Sequence, residues 1–190
     1  MTQPELIENA QNSDYDAIEE LIKREQKNIY ASFCYLGAPG ENIADLTQEA
    51  LFRMSKNIKN LKNPSQFKSW LGQIVTHLFY DELRKKQRCP AAISIDTYWC
   101  NDDDDNSALN ICDTHLKPDE RTAGKELTDI IREMICKLPE HFRIVIILRE
   151  LQGLSYEEIA EITKTNVGTV KSRIARARNK LQECLKPYIL

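Results

Sequence analysis

Gly153–Arg178 reads G-L-S-Y-E-E-I-A-E-I-T-K-T-N-V-G-T-V-K-S-R-I-A-R-A-R. Ser155 followed three residues later by Glu158 is a capping box, in which each side chain satisfies a backbone N–H at the other's position. It opens a short helix carrying Ile159, Ala160 and Ile162. Asn166 is placed to cap a second helix, whose inward stripe is Val167, Val170, Ile174, Ala177, Leu181 and Cys184. Only Thr163–Asn166 separates the two, and the small Ala160 lets them approach closely. Two short helices joined this tightly form a helix-turn-helix pattern.

The second helix is strongly basic. Asn166–Leu181 holds five Lys or Arg in sixteen residues and no Asp or Glu, in a chain of net charge −3. With Val170 and Ile174 turned inward, Asn166, Gly168, Thr169, Lys171, Ser172 and Arg173 stand near its N-terminus. In a helix-turn-helix those positions meet base edges in the major groove, and Arg can grip guanine through two hydrogen bonds. Arg176, Arg178 and Lys180 lie further along, where phosphate contacts are expected. The alternative reading is an amphipathic helix that simply faces water.

Charge is segregated along the whole chain. Residues 1–52 carry 3 basic and 10 acidic side chains, 53–88 carry 9 and 2, 89–165 carry 8 and 16, and 166–190 carry 6 and 1. Two basic blocks inside an acidic chain point to polyanion contact at defined places.

Outside those blocks the pattern is helical throughout. Tyr15, Ile18, Ile22, Ile29, Phe33 and Leu36 recur at helical spacing, with Ser13 as expected N-cap and Gly37 as expected stop. Asn42 is the expected cap of a helix striped by Ile43, Leu46, Ala50, Met54, Ile58 and Leu61. Asn63-Pro64 then starts a third helix through Phe67, Leu71, Ile74 and Leu78 to about Arg88. Cys89–Lys117, with Asp102–Asp105 in one run, keeps no amphipathic period and reads as a linker. Helical spacing resumes from Pro118 to Lys137 through Leu127, Ile130, Ile131 and Met134. Leu138-Pro139 restarts a helix with Phe142, Val145, Ile146 and Leu148, closed by Gly153. The expectation is an all-α protein with domains at 1–88 and 118–190 and a flexible acidic linker at 89–117.

The first basic block interleaves Phe67, Trp70, Phe79 and Tyr80 with Lys68, Arg84, Lys85, Lys86 and Arg88. Rings on which bases stack, beside cations that follow a backbone, suit a single strand. Phe67 lies on the apolar stripe and is expected in the core; for Trp70, Phe79 and Tyr80 both readings stand.

The excluded classes are as informative. No apolar run reaches the ~20 residues of a membrane span, and the first residues, M-T-Q-P-E-L-I-E-N-A, have neither the basic nor the apolar part of a secretory signal. The expected compartment is the cytoplasm. Six scattered cysteines without C-x-x-C spacing read as reduced thiols; Cys112-x-x-His115 alone is a poor zinc site. No Walker loop, H-E-x-x-H or paired metal carboxylates occur, so neither catalysis nor a cofactor is expected.

D-L-T-Q-E-A-L-F-R (45–53), W-L-x-x-I (70–74), D-x-L-R (81–84), L-P-E-x-F-R (138–143), L-S-Y-E-E-I-A (154–160) and V-G-T-V-K-S-R-I-x-R-A-R (167–178) occur in that order. Together they resemble the extracytoplasmic-function (ECF) bacterial sigma factors over nearly the whole chain. The resemblance implies a promoter-specificity subunit of RNA polymerase. Its first domain would bind the clamp helices through Asp45, Gln48, Glu49, Leu51, Phe52 and Arg53. The same domain would melt and read the −10 element through Lys68, Trp70, Gln73, His77, Tyr80, Arg84, Lys85 and Arg88. Its second would bind the flap and read −35 duplex through Asn166, Gly168, Thr169, Lys171, Ser172, Arg173 and Arg176. An anti-sigma factor is a further implied partner. The family often has Asn at His77, Arg at Gln73 and Gly at Lys164, so a changed −10 preference is expected here, and at Lys164 either the turn differs or the fold absorbs the strain. A helix-turn-helix regulator acting without polymerase is the other reading; a sensory first half is what it would need, and D-L-T-Q-E-A-L-F-R is what stands there.

Overall fold

The structure, a computed structural model, describes residues 2–87 and 123–189. The expected linker, Arg88, the Asp102–Asp105 run, Cys89, Cys100 and Cys112 lie outside the described residues, as does the expected helix start at Pro118. Among the described residues there are helices and turns and no strand. The first unit holds α1 (Gln3–Gln11), α2 (Tyr15–Leu36), α3 (Ile43–Asn57) and α4 (Phe67–Gln87). The second holds α5 (Ala123–Cys136), α6 (Glu140–Glu150), α7 (Tyr156–Thr163) and α8 (Val167–Ile189).

In the first unit α2 packs on α1, α3 and α4. The α3 stripe is buried as its spacing predicts, from Ile43 through Leu46, Ala50 and Met54 to Ile58 and Leu61 in the turn that follows. α1 is an element the apolar spacing did not announce, because one short helix offers only Leu6, Ile7 and Ala10. The Gln11 amide fastens it, donating to the carbonyls of Ile58 (3.3 Å) and Leu61 (2.5 Å). Two details of α2 also differ from expectation. Asp14, not Ser13, caps it, accepting from the N–H groups of Asp16 and Ala17. Tyr15 stands outside at 84% exposure, while Ala17 and Leu21 take the inward places.

Three helices close with a left-handed residue whose N–H, and that of the next residue, return to the last turn. Gly37 (φ 79°) ends α2, with Gly37 N–H to Cys34 and Ala38 N–H to Phe33. Ser13 (φ 70°) ends α1 and Lys164 (φ 52°) ends α7 in the same way. Glycine adopts this conformation freely, whereas a side chain there costs about 1 kcal/mol. The turn keeps its geometry at Lys164 and absorbs the strain.

α6 is the hub of the second unit. Phe142 and every residue from Ile144 to Leu148 are buried, so the helix is apolar nearly all round and must be central. It meets α7 and α8 on one side and α2 of the first unit on the other. α5 also lies on α2, and α7 lies on α4. One continuous apolar cluster therefore runs through both units.

Candidate nucleic-acid interface

The helix-turn-helix is built by local chemistry. Ser155 N–H donates to Glu158 Oε2 (2.8 Å) and Glu158 N–H donates to Ser155 Oγ (3.2 Å), closing the capping box of α7. Thr163 Oγ1 donates to the Ile159 carbonyl (2.7 Å) and pairs with Thr165 Oγ1 (3.0 Å), which stiffens the turn. Asn166 Oδ1 accepts from Thr169 N–H at 2.7 Å and starts α8. Val170, Ile174 and Ala177 are fully buried against α6 and α7. Cys184, expected on the same stripe, is exposed.

That packing turns Asn166, Gly168, Lys171, Ser172 and Arg176 outward, with Thr169 and Arg173 half-buried. Ser172 Oγ donates to the Thr169 carbonyl (2.9 Å), leaving its oxygen lone pairs outward. Lys171 sits 5.6 Å from the Tyr156 ring, whose other cation is Arg149 at 4.7 Å. Arg178 is tied to Glu150 of α6 by an exposed ion pair at 2.6 Å, so this charge is already partnered.

α4 carries the second basic surface. Trp70, Gln73, His77, Tyr80 and Arg84 follow at steps of three and four and form one row along the helix. His77 and Arg84 are exposed; Trp70, Gln73 and Tyr80 are half-buried. The helical repeat turns Lys68 and Lys85, both exposed, away from this row. Arg84 pairs with Asp81 and Lys85 with Glu82, both at 3.5 Å. Of the aromatics left open by the sequence, Phe79 is core, whereas Trp70 and Tyr80 lean on Phe67 and Phe79 with ring centroids 6.1 and 6.3 Å apart. Burial pushes the Tyr80 hydroxyl well above the usual phenol range; Glu140 adds to this, and Arg173 and Arg84 oppose it.

α3 presents a third surface. Asp45, Gln48 and Phe52 are exposed along one side, with Phe52 at 58% and Lys56 over its ring at 5.7 Å. Glu49 and Arg53 pair beside them at 2.6 Å. Leu51 differs from the other five: it is 8% exposed and part of the core.

The sequence reading missed the seam between the units. Arg143 of α6 donates from Nη1 to the Leu36 carbonyl at the end of α2 (3.0 Å) and from Nη2 to the Leu138 carbonyl (3.2 Å). Gln152 Nε2 donates to Ser32 Oγ of α2 at 3.4 Å. Gly72 of α4 lies against Gln152, Leu154 and Ile162, where a Cβ would crowd them. The available signal was Ser69, Gly72 and Thr76, a row of small residues at helical spacing that admits a second helix closely.

A helix-turn-helix with open polar and basic positions, joined to a basic helix lined by half-open rings, defines a two-part helical protein built to hold nucleic acid. Residues 21–89 match the family model described as Sigma-70 region 2, and residues 128–181 match Sigma-70, region 4. The ECF RNA polymerase sigma-E factor of Escherichia coli (strain K12) is 33% identical over 189 residues, covering 100% of this chain and 97% of that protein. The protein of the same name from Haemophilus influenzae is 33% identical, covering 100% and 98%. Among solved structures, the sigma factor RpoE in complex with the anti-sigma factor NepR from Bartonella quintana superposes with TM-score 0.68 at 26% identity, covering 88% of this chain and 96% of that one. CnrH, in complex with the cytosolic domain of CnrY, shares the fold with TM-score 0.65 at 20% identity, covering 97% of each chain. The chain belongs to the ECF RNA polymerase sigma factors, and its function is that of a transcription initiation factor of RNA polymerase. No helix among the described residues is long and apolar enough to cross a membrane, and none of their His, Cys, Asp and Glu side chains cluster to hold a metal.

Proposed function

We propose that the two units divide promoter reading between a paired and an unpaired strand. The outer positions of α8, from Asn166 to Arg176, dock in the major groove of the −35 duplex. The row Trp70, Gln73, His77, Tyr80 and Arg84 on α4 receives the −10 strand once it opens, with Lys68, Lys85 and Arg88 following phosphates. Asp45, Gln48, Glu49, Phe52 and Arg53 on the outside of α3 bind the clamp of polymerase; Leu51 supports that helix from beneath. The domains divide at 1–88 and 118–190, and the acidic stretch between them threads the polymerase. The chain binds and positions; it makes no covalent bond, and its place of work is the cytoplasm. By likeness to the Bartonella quintana complex, an anti-sigma factor is a second partner.

The single supporting observation is the pairing of an open, capped recognition helix with a separate basic helix whose rings stay half-exposed. A regulator working without polymerase is not favoured, because the region 2 match occupies the half where such a protein would carry its sensor. Run-off transcription from a genomic fragment library with purified core polymerase tests the reading: new start sites must appear when the chain is added. Arg173→Ala should then weaken promoter binding by about 1–3 kcal/mol and erode the footprint over the −35 region alone.

A further inference from the structure

We propose that Cys34 and Cys136 are a redox-responsive pair: a mild oxidant such as hydrogen peroxide joins them in a disulfide that ties α2 of the first unit to α5 of the second. The bond goes beyond the function proposed above; its effect on transcription rests on that function.

The fold brings together two cysteines 102 positions apart in the chain, and both are thiols. Cys136 closes α5, and its Sγ lies 4.0 Å from the Cys34 carbonyl oxygen in the last turn of α2. The same sulfur would stand 3.8 Å from a Cβ placed on Gly37, so it rests against the end of α2. The Cys34 sulfur is turned toward α5 in its turn, because the guanidinium of Arg132, one turn before Cys136, acts on it electrostatically. A carbonyl oxygen and a Cβ both lie within about 2.5 Å of their own Cα. Rotation of each side chain about χ1, between staggered positions, is therefore the motion that brings sulfur to sulfur. Arg143 pins the same corner by donating to the Leu36 carbonyl at 3.0 Å, which keeps the two thiols within reach of each other.

Exposure divides the roles. Cys34 is half-buried and open to a small oxidant, whereas Cys136 is 2% exposed and lies behind it. Thiolate is the attacking form. Burial pushes the Cys34 thiol up and Arg132 works against this, so the first step is slow but open. The Cys34 thiolate attacks one peroxide oxygen, the O–O bond breaks, and hydroxide leaves to take up the proton that the thiol gave. The Cys136 sulfur then attacks the sulfenic sulfur, the S–O bond breaks, and water leaves with the Cys136 proton. Two thiols and one peroxide become one disulfide and two waters. Thiol reductants reverse the bond, and disulfides inside reducing compartments are characteristically transient and redox-sensing. The tie fixes the two units against one another. The promoter elements they are proposed to read stand about 25 base pairs apart, or roughly 85 Å at 3.4 Å per pair.

The full-length chain, Cys34→Ser and Cys136→Ala are each oxidised with hydrogen peroxide under native conditions, alkylated, digested and mapped by mass spectrometry without reductant. Wild type should give a linked peptide pair, Cys34 with Cys136, that dithiothreitol removes; neither variant should give it. The linked chain should melt roughly 10 °C above oxidised Cys34→Ser, because the bond closes a long loop in the unfolded chain. Pairing of either cysteine with Cys89, Cys100, Cys112 or Cys184 instead overturns the proposal. So does linkage that forms only in denaturant, or a melting point that does not rise. If Cys136→Ala loses helicity by circular dichroism, Cys34→Ser alone decides. Run-off transcription with core polymerase carries the consequence. Oxidation should abolish the start sites given by wild type, dithiothreitol should restore them, and Cys34→Ser should keep them throughout. Start sites that survive in the linked chain overturn the regulatory role. Start sites absent even from reduced wild type sink the proposed function and leave the bond standing.

Discussion

α4 and α8 are both basic amphipathic helices, yet they are supported differently. α8 rests on an apolar stripe, Val170, Ile174 and Ala177, and turns its polar residues to solvent from its first turn onward. α4 has an apolar side too, but Ser69, Gly72 and Thr76 form a second buried row against the other unit. One reading surface is thus completed by the fold of its own unit. The other is bordered by an interface of small polar groups, which offers less burial energy and closer approach.

The contrast breaks first at the α8 stripe. Ile174→Ala removes a fully buried side chain from the one layer holding α8 and should cost about 2–5 kcal/mol. Chemical denaturation should show the loss. If the cost falls below about 1 kcal/mol, α8 is not held as described. The seam should answer in the opposite direction. Thr76→Val keeps the shape and removes a buried hydroxyl that has no hydrogen-bond partner, so it should stabilise the folded chain by about 1 kcal/mol; a destabilised variant would mean that the hydroxyl has a use.

A smaller effect is expected in the turn before α8. Lys164→Gly relieves a left-handed side chain but loosens the unfolded chain, and should gain about 0.5 kcal/mol. A loss on thermal melting would show that the lysine earns its place by another contact. The smallest effect concerns pH. Burial raises the Glu140 carboxyl above its ordinary 4.5, with the Arg143 guanidinium working against the shift. The folded chain therefore holds that proton more tightly, and the stabilisation present below pH 4.5 is lost as pH rises through the raised value. Glu140→Gln keeps a neutral group throughout. It should match wild type in acid and become the more stable of the two toward neutrality, as read from denaturation midpoints across that range.

Much of this was open to reading in advance because it is local. The capping box at Ser155 and Glu158, the Asn166 cap, the Gly37 stop and the α3 stripe each depend on residues within a few positions of one another. The errors share a different cause. Tyr15 fits the period of α2 but sits at its first turn, where no helix covers it. Leu51 belongs to a motif of outward residues, yet its neighbours along α3 turn it inside. Phe79, for which both readings stood, is settled as core by its neighbours on other helices rather than by its own spacing.

Amino-acid order alone was enough to decide the longer helices, the caps at Ser155 and Asn166, the two basic surfaces and the family, because spacing, charge and capping act over one or two turns. Which face of α4 would meet α7, and that Arg143 would close the end of α2, only the tertiary structure decided. Small polar residues at a seam leave no hydrophobic period to read, and the groups that meet there lie far apart in the chain, as Gly72 does from Gln152 and Arg143 from Leu36.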